Sequence, residues 1–262
     1  MDELEVGKYW EGNAEGWTVM SRAGYDVSRD LFNTPTFLRI LPEIEGLRGL
    51  DIGCGEGTNT RSLAGRGGHM TGLDIAPTFI RHAREAESAD PRGIDFHVGS
   101  ASALPFADES FDFATAFMSF QDLPHQEEAF GEAYRVIRPG GFLQFSITHP
   151  CFQTPKWDWI LDESGRRTAM IVGDYFDRPE VLMSEWTFGS APKELSGRFG
   201  MFKVPYFERT LSEWLNLVLS TGFQLEELAE PHPTKEDVEK FPKTYDARII
   251  AYFLIVRGRK PV

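Results

Sequence analysis

Leu50-Asp51-Ile52-Gly53-Cys54-Gly55-Glu56-Gly57-Thr58 is the stretch on which the reading of the whole chain turns. A short run holding one acid leads into three glycines at alternate positions, and Thr58 to Ala64 then begins a helix. Glycines in a strand-to-helix turn let the backbone bend tightly and let a ligand approach bare main chain. The amides at the helix start favour a negatively charged ligand group such as phosphate or carboxylate. Alone, such a turn is also what any tight connection requires. A dinucleotide fingerprint, Gly-x-Gly-x-x-Gly, would need glycine at position 58, where threonine stands.

Outward from this stretch, short apolar runs alternate with helical ones. Met70 to Ile75 reads as a second strand, with Pro77 opening a helix that carries Phe79, Ile80 and Ala83 on one face. Ile94 to Val98, Phe111 to Phe117 and Phe142 to Ile147 read as the third to fifth strands. A helix from about Gln126 to Ile137 joins the last two and is stopped by Pro139-Gly140-Gly141. The alternation predicts right-handed crossovers and a parallel sheet. Further on, Thr210-Leu211-Ser212-Glu213 is a capping box, Gly222 ends its helix, and Gln224 to Leu228 is a strand. Ile249 to Val256 is a long β-rich run. No helix of useful length is expected between these two strands, so one of them runs antiparallel near an edge.

The chain reads as one domain in four stretches. Residues 1–47 form an amphipathic helical cap, in which Asn33 or Thr34 caps a helix that has Pro35 in its first turn. Residues 48–150 form the core, 151–209 an insertion crowded with aromatics, and 210–262 the C-terminal helix and strand pair.

The 262 residues are 41% hydrophobic and 26% charged, ordinary for a soluble globular protein. No apolar run approaches the roughly 20 residues needed to span a bilayer, and the acidic N-terminus is unlike a signal peptide. Cytoplasmic residence and no membrane contact are the expectation. The two cysteines, Cys54 and Cys151, have no partners at metal-ligand spacing, so neither a disulfide framework nor a metal is expected. A formal net charge of −13, with no compensating basic cluster, argues against nucleic acid as a partner. A monomer or homodimer is expected.

Four motifs occur in order over residues 49–148. The first is the Gly-x-Gly-x-Gly loop preceded by Asp51. The second is Asp74 at the end of the next strand, where a carboxylate accepts hydrogen bonds from ribose hydroxyls, followed by Ile75 as an apolar face for adenine. The third is Val98-Gly99-Ser100-Ala101-Ser102-Ala103-Leu104-Pro105-Phe106, and the fourth is Arg135-Val136-Ile137-Arg138-Pro139-Gly140-Gly141. Together they resemble the class I S-adenosylmethionine-dependent methyltransferases, of the ubiquinone- and menaquinone-biosynthesis type. The resemblance implies a Rossmann-like, doubly wound seven-stranded α/β sheet, mostly parallel with one antiparallel strand and helices on both faces. It implies S-adenosyl-L-methionine as cofactor, S-adenosyl-L-homocysteine as product and a small-molecule methyl acceptor.

Residue by residue, the resemblance places Asp51, Gly53, Cys54 and Gly55 at the methionine half of the cofactor and Asp74 and Ile75 at its adenosine. Ser100, Ala101 and Ser102 fall where the family reads the adenine edge, with Ser100 replacing the usual aspartate. Phe117 and Met118, ending the fourth strand, fall near the sulfur. The chain lacks the Asn/Asp/Ser-Pro-Pro-aromatic motif of DNA-amine and amide methyltransferases at this point. The N-terminal segment offers Trp17 and Arg22 as further cofactor contacts, with Arg22 paired either to the cofactor carboxylate or in a surface salt bridge. His149, at the end of the fifth strand, is either a general base or a hydrogen-bonded turn histidine. The aromatic insertion is expected to wall the acceptor pocket. Two other classes stand beside this one: a nicotinamide-dependent oxidoreductase, which Thr58 disfavours, and a non-catalytic S-adenosylmethionine-binding regulatory protein.

Overall fold

A computed structural model describes residues 1–262. Seven strands make the central sheet: β1 (Arg48–Ile52), β2 (His69–Asp74), β3 (Asp95–Val98), β4 (Phe111–Phe117), β5 (Ile137–Thr148), β10 (Gln224–Ala229) and β11 (Phe253–Arg259). Their spatial order is β10-β11-β5-β4-β1-β2-β3. All neighbours from β5 to β3 run parallel, and β11 runs antiparallel to both β5 and β10. This is the doubly wound sheet with one reversed strand that the sequence pattern predicts.

Strand alternation sends side chains to two cores. Leu50, Ile52, Ala114, Ala116, Leu143, Phe145 and Ile147 pack with Phe130 and Ala133 of α5 (Gln126–Val136) and Trp214 and Val218 of α7 (Leu211–Thr221). Phe113, Phe142 and Ile255 face the other way, toward Phe37 of α2 (Thr34–Ile40), Leu63 of α3 (Thr58–Ala64) and Ile80 of α4 (Pro77–Ala89). Period-2 alternation in strands covered on both faces thus builds both layers at once. Thr210 and Glu213 make the predicted capping box of α7, and Gly222 closes it at φ 110°.

Two boundaries differ from expectation. Asn33 is no cap: residues Arg29–Asn33 form a π-helical turn that runs directly into α2, and Asn33 makes no capping hydrogen bond. The Asn33 side chain is buried, with its Oδ1 unpartnered, instead of reaching back to the helix end. The last strand starts at Phe253, four residues late, because α8 (Lys235–Lys240) and a 3₁₀ segment Pro242–Arg248 occupy the preceding connection.

The long helix α1 (Glu3–Arg22), capped by Asp2 and Glu5, packs against α4 and against β9 (Phe202–Tyr206). The region 151–209 holds two antiparallel hairpins. One pairs β6 (Lys156–Leu161) with β7 (Arg167–Gly173), the other β8 (Leu182–Trp186) with β9, and α6 (Lys193–Phe199) precedes β9. Only the second hairpin packs on the helical cap, where Met20, Phe188, Phe202, Val204 and Tyr206 form a small core with Trp17 and Trp186 around it.

Candidate functional site

Strand order reverses between β1 and β4, since β2 and β3 lie to one side and β5 to the other. In doubly wound sheets ligands sit at this switch point, outside the carboxyl ends of the strands. Here a cavity of about 760 Å³ opens there, within the range of about 300–1,000 Å³ typical of small-molecule sites. Its floor is the glycine loop and the ends of β2 and β4.

The loop is held by its neighbours. The amides of Gly53 and Cys54 both donate to the Leu73 carbonyl, at 2.8 and 3.0 Å. Gly53 and Gly55 have φ of 69° and 56°, a region open to glycine without penalty. A Cβ at Gly53 would lie 2.4 Å from the Ser119 Cβ, whereas one at Gly55 would meet nothing, because that face of the loop borders open space. At the end of β4, Met118 adopts φ 58°. A non-glycine residue held there is strained, and such strain concentrates at ligand sites.

Four buried acids border the cavity; Glu56 is paired with Arg22, which leaves three, Asp51, Asp74 and Asp122. Asp51 accepts from the Thr60 and Thr115 hydroxyls at 2.6 and 2.9 Å. Burial pushes its carboxyl up to about 7, against the pull of those two hydroxyls. Asp74 accepts from the amides of Gly55 at 2.8 Å and Ala76 at 2.9 Å. Burial raises it to about 6, with the same amides opposing. Each Asp74 oxygen keeps a lone pair for a further donor. Asp122 is different. Its Oδ1 is buried without any hydrogen-bond partner, and burial, reinforced by the Asp74 charge, drives its carboxyl well above the usual range. None of the three acids forms an ion pair.

The opposite wall is aromatic. Trp17 meets Trp186 and Phe188 edge-on, at 5.2 and 5.1 Å between ring centroids, and Trp186, Phe188 and Tyr206 all border the cavity.

Sequence comparisons agree with this geometry. Residues 50–145 match the family described as a methyltransferase domain. A crystal structure of an S-adenosylmethionine-dependent methyltransferase from Mesorhizobium loti is similar with a TM-score of 0.70 and 26% identity, covering 86% of this chain and 96% of that one. Residues 50–145 thus carry a methyltransferase domain, and the chain is similar over most of its length to an S-adenosylmethionine-dependent methyltransferase. Among curated relatives, a demethylmenaquinone methyltransferase from Listeria welshimeri is 29% identical over 144 residues, 53% of this chain and 60% of that protein. A fatty-acid O-methyltransferase from Mycolicibacterium smegmatis is 32% identical over 124 residues, 47% of this chain and 44% of that protein. The chain thus spans about 60% of the length of the demethylmenaquinone methyltransferase it matches.

The methyltransferase site gathers most of the residues singled out by sequence. Asp51, Gly53, Cys54, Gly55, Asp74, Ile75, Ala101, Phe117, Met118 and Trp17 all border the cavity. Cys54 is buried, and burial raises its thiol pKa, the reverse of what a nucleophile needs.

Four residues are placed differently. The Arg22 guanidinium is turned from the cavity: its Nε donates to Glu56 Oε2 at 3.0 Å, and Nη2 donates to the Glu56 and His82 carbonyls. A buried acid beside it takes the charge that was assigned to the ligand. The arginine bordering the cavity is Arg29, whose Nη1 donates to Ser21 Oγ at 2.6 Å and Nε to Asp30 at 2.8 Å. The Ser100 and Ser102 hydroxyls donate to Glu3, which itself borders the cavity, so a helix-α1 carboxylate occupies the serine groups expected to read adenine.

His149 also lies outside the cavity. Its Nε2 contacts Glu230 Oε1 at 2.9 Å, and its Nδ1 accepts from the Cys151 amide at 3.2 Å. With both ring nitrogens engaged and burial lowering its pKa, its geometry is that of a hydrogen-bonded turn histidine. The aromatic insertion is likewise divided, since the hairpin of β6 and β7 carries Trp157 and Trp159 away from the cavity. Sequence reasoning missed Glu3, Arg29, Asp122 and the segment Lys240 to Thr244, all on the cavity border. Of these, Asp122 alone carries a local signal, an acid between the apolar Phe120 and Leu123 directly beyond the fourth strand.

Proposed function

We propose that this protein transfers the methyl group of S-adenosylmethionine to a small, largely apolar molecule and releases S-adenosylhomocysteine. The observation that carries the reading is one cavity bounded on one side by the glycine loop with three buried, cation-free acids, and on the other by aromatics packed edge to face. Uncompensated buried carboxyls disfavour an anionic dinucleotide and favour a ligand bearing positive charge. When bound, the cofactor supplies an electrophilic methyl group on a sulfonium.

The remaining tasks fall to the chain's own residues. Asp74 accepts from the ribose hydroxyls with its free lone pairs, and Ile75 and Ala101 flank the adenine. The open face of Gly55 and the Arg29 guanidinium take the amino-acid end. Trp17, Trp186 and Phe188 exclude water and hold the acceptor body, which lowers the entropic cost of alignment. The names of the two curated relatives, which refer to demethylmenaquinone and to fatty acids, point to acceptors with extended apolar bodies.

Calorimetric titration with S-adenosylmethionine, S-adenosylhomocysteine and NADH tests the cofactor. Saturable binding of the first two and none of the third is expected; NADH binding alone would sink the assignment. Formation of S-adenosylhomocysteine is then followed over a panel of quinols, phenols and fatty acids. Turnover that needs one of these acceptors separates an enzyme from a binding protein.

A further inference from the structure

The least explained group in the cavity is Asp122. It sits in a 3₁₀ turn, Phe120–Asp122, immediately beyond β4, and is 5% exposed. Its Oδ1 has no hydrogen-bond partner, and no ion pair reaches the carboxyl. Asp51 and Asp74, by contrast, each accept two hydrogen bonds from within the protein. A buried carboxyl left unpartnered loses its hydration without a compensating bond and so destabilises the fold. Groups kept in that condition on a cavity wall are found where a ligand completes them.

We propose that Asp122 is the carboxylate that takes the proton from the methyl acceptor, and that the acceptor's reacting group is therefore a hydroxyl on an apolar body. This rests on the methyltransferase reading above. Asp122 receives the hydroxyl proton while an oxygen electron pair forms the new bond to the methyl carbon. The electrons of the broken carbon–sulfur bond remain on sulfur. A cation and a carboxylate before transfer become a neutral thioether and a neutral carboxylic acid after it, so the buried site carries no net charge in either state. His149, the other base at the strand ends, is excluded by its engaged nitrogens.

The surroundings of Asp122 suit this role. Its turn packs against β5, β9 and α5. From β9 comes Tyr206, whose hydroxyl burial holds in the neutral form; beyond it Glu208 is paired with Arg178 at 3.0 Å. From α5 comes Glu127, paired with Arg209, with His125 before it. β5 ends at His149, paired with Glu230. On the same wall stands Asp74, whose charge reinforces the effect of burial on Asp122. Arg178, Arg209 and His149 are each paired with another acid, so a positively charged ligand is what draws the Asp122 proton off. A raised carboxyl pKa also brings its basicity nearer to the value a general base needs at neutral pH.

The test is proton linkage, measured by titrating the protein with S-adenosylmethionine and with S-adenosylhomocysteine in buffers of different ionisation enthalpy. Wild type is expected to release more protons with the sulfonium ligand, and Asp122→Asn is expected to lose that difference while still binding both. The wild type alone gives a second readout: the affinity ratio of S-adenosylmethionine to S-adenosylhomocysteine should rise with pH. An unchanged difference in Asp122→Asn, or no difference in the wild type, overturns the assignment and leaves the cofactor reading standing. Failure of the wild type to bind either ligand removes the cofactor reading and this one with it.

Discussion

The two walls of the cavity are built in opposite ways. The cofactor-side wall comes from consecutive strand ends, β1, β2 and β4, with the turns that follow them. Each contributing residue lies within a few positions of a strand terminus, and main-chain hydrogen bonds such as those from Gly53 and Cys54 to Leu73 hold it. The aromatic wall joins Trp17 of α1 to Trp186 at the end of β8 and Tyr206 at the end of β9; strand pairing fixes the last two within their hairpin, and side-chain packing alone seats that hairpin on Trp17. One wall is dictated by backbone geometry, the other by side-chain contact. Damage to the second should therefore spare the first.

Phe202→Ala gives the largest effect expected from that difference. Phe202 is buried against Trp17, Trp186 and Phe188, and removing such a ring costs about 3–5 kcal/mol. Urea denaturation should show that loss, while S-adenosylmethionine affinity in the folded fraction changes little. A parallel collapse of affinity would break the separation of the walls.

A second comparison uses acidity. Asp51 and Asp74 titrate near 7 and 6 in the folded protein but near 3.9 when unfolded. Between about pH 4 and 7 the folded state therefore binds more protons than the unfolded one, and their contribution to stability falls as pH rises. Thermal melts of the unliganded protein should show Asp51→Asn flattening this dependence, by on the order of 2–4 kcal/mol between pH 5 and 7.5. An identical pH dependence in the variant would show that Asp51 is not held as a buried acid.

On the cofactor side alone, Asp74→Ala should weaken S-adenosylmethionine binding by about 1.5–3 kcal/mol, the scale of hydrogen bonds to a charged group. Calorimetry decides it, and an unchanged affinity would remove Asp74 from the ribose. The smallest effect belongs to His149→Ala. Its partner Glu230 is mostly exposed, and turnover of a working acceptor should stay within about twofold of wild type. A fall approaching the roughly 100-fold expected for loss of a general base would restore His149 to the mechanism.

The history of individual side chains shows what was legible. The glycine loop, Asp74 and the four ordered motifs were readable because strand periodicity, turn residues and crossover connections act over neighbouring positions. Sequence leaves Arg22 between the cofactor carboxylate and a salt bridge because its direction depends on Glu56, 34 residues away. The two readings of His149 stay open in the sequence for the same reason, its partner Glu230 lying 81 residues on.

By itself, then, the sequence determined the doubly wound sheet, the switch-point turn and the family of the cofactor, all of which follow from local backbone preferences repeated in order. Tertiary structure alone decided which side chains face the cavity. Ser100 is taken up by Glu3, Arg29 stands where Arg22 was expected, and Asp122 is left unpartnered. The physical reason is that a polar side chain's direction is set by whichever partner satisfies it, and such partners come from remote parts of the chain.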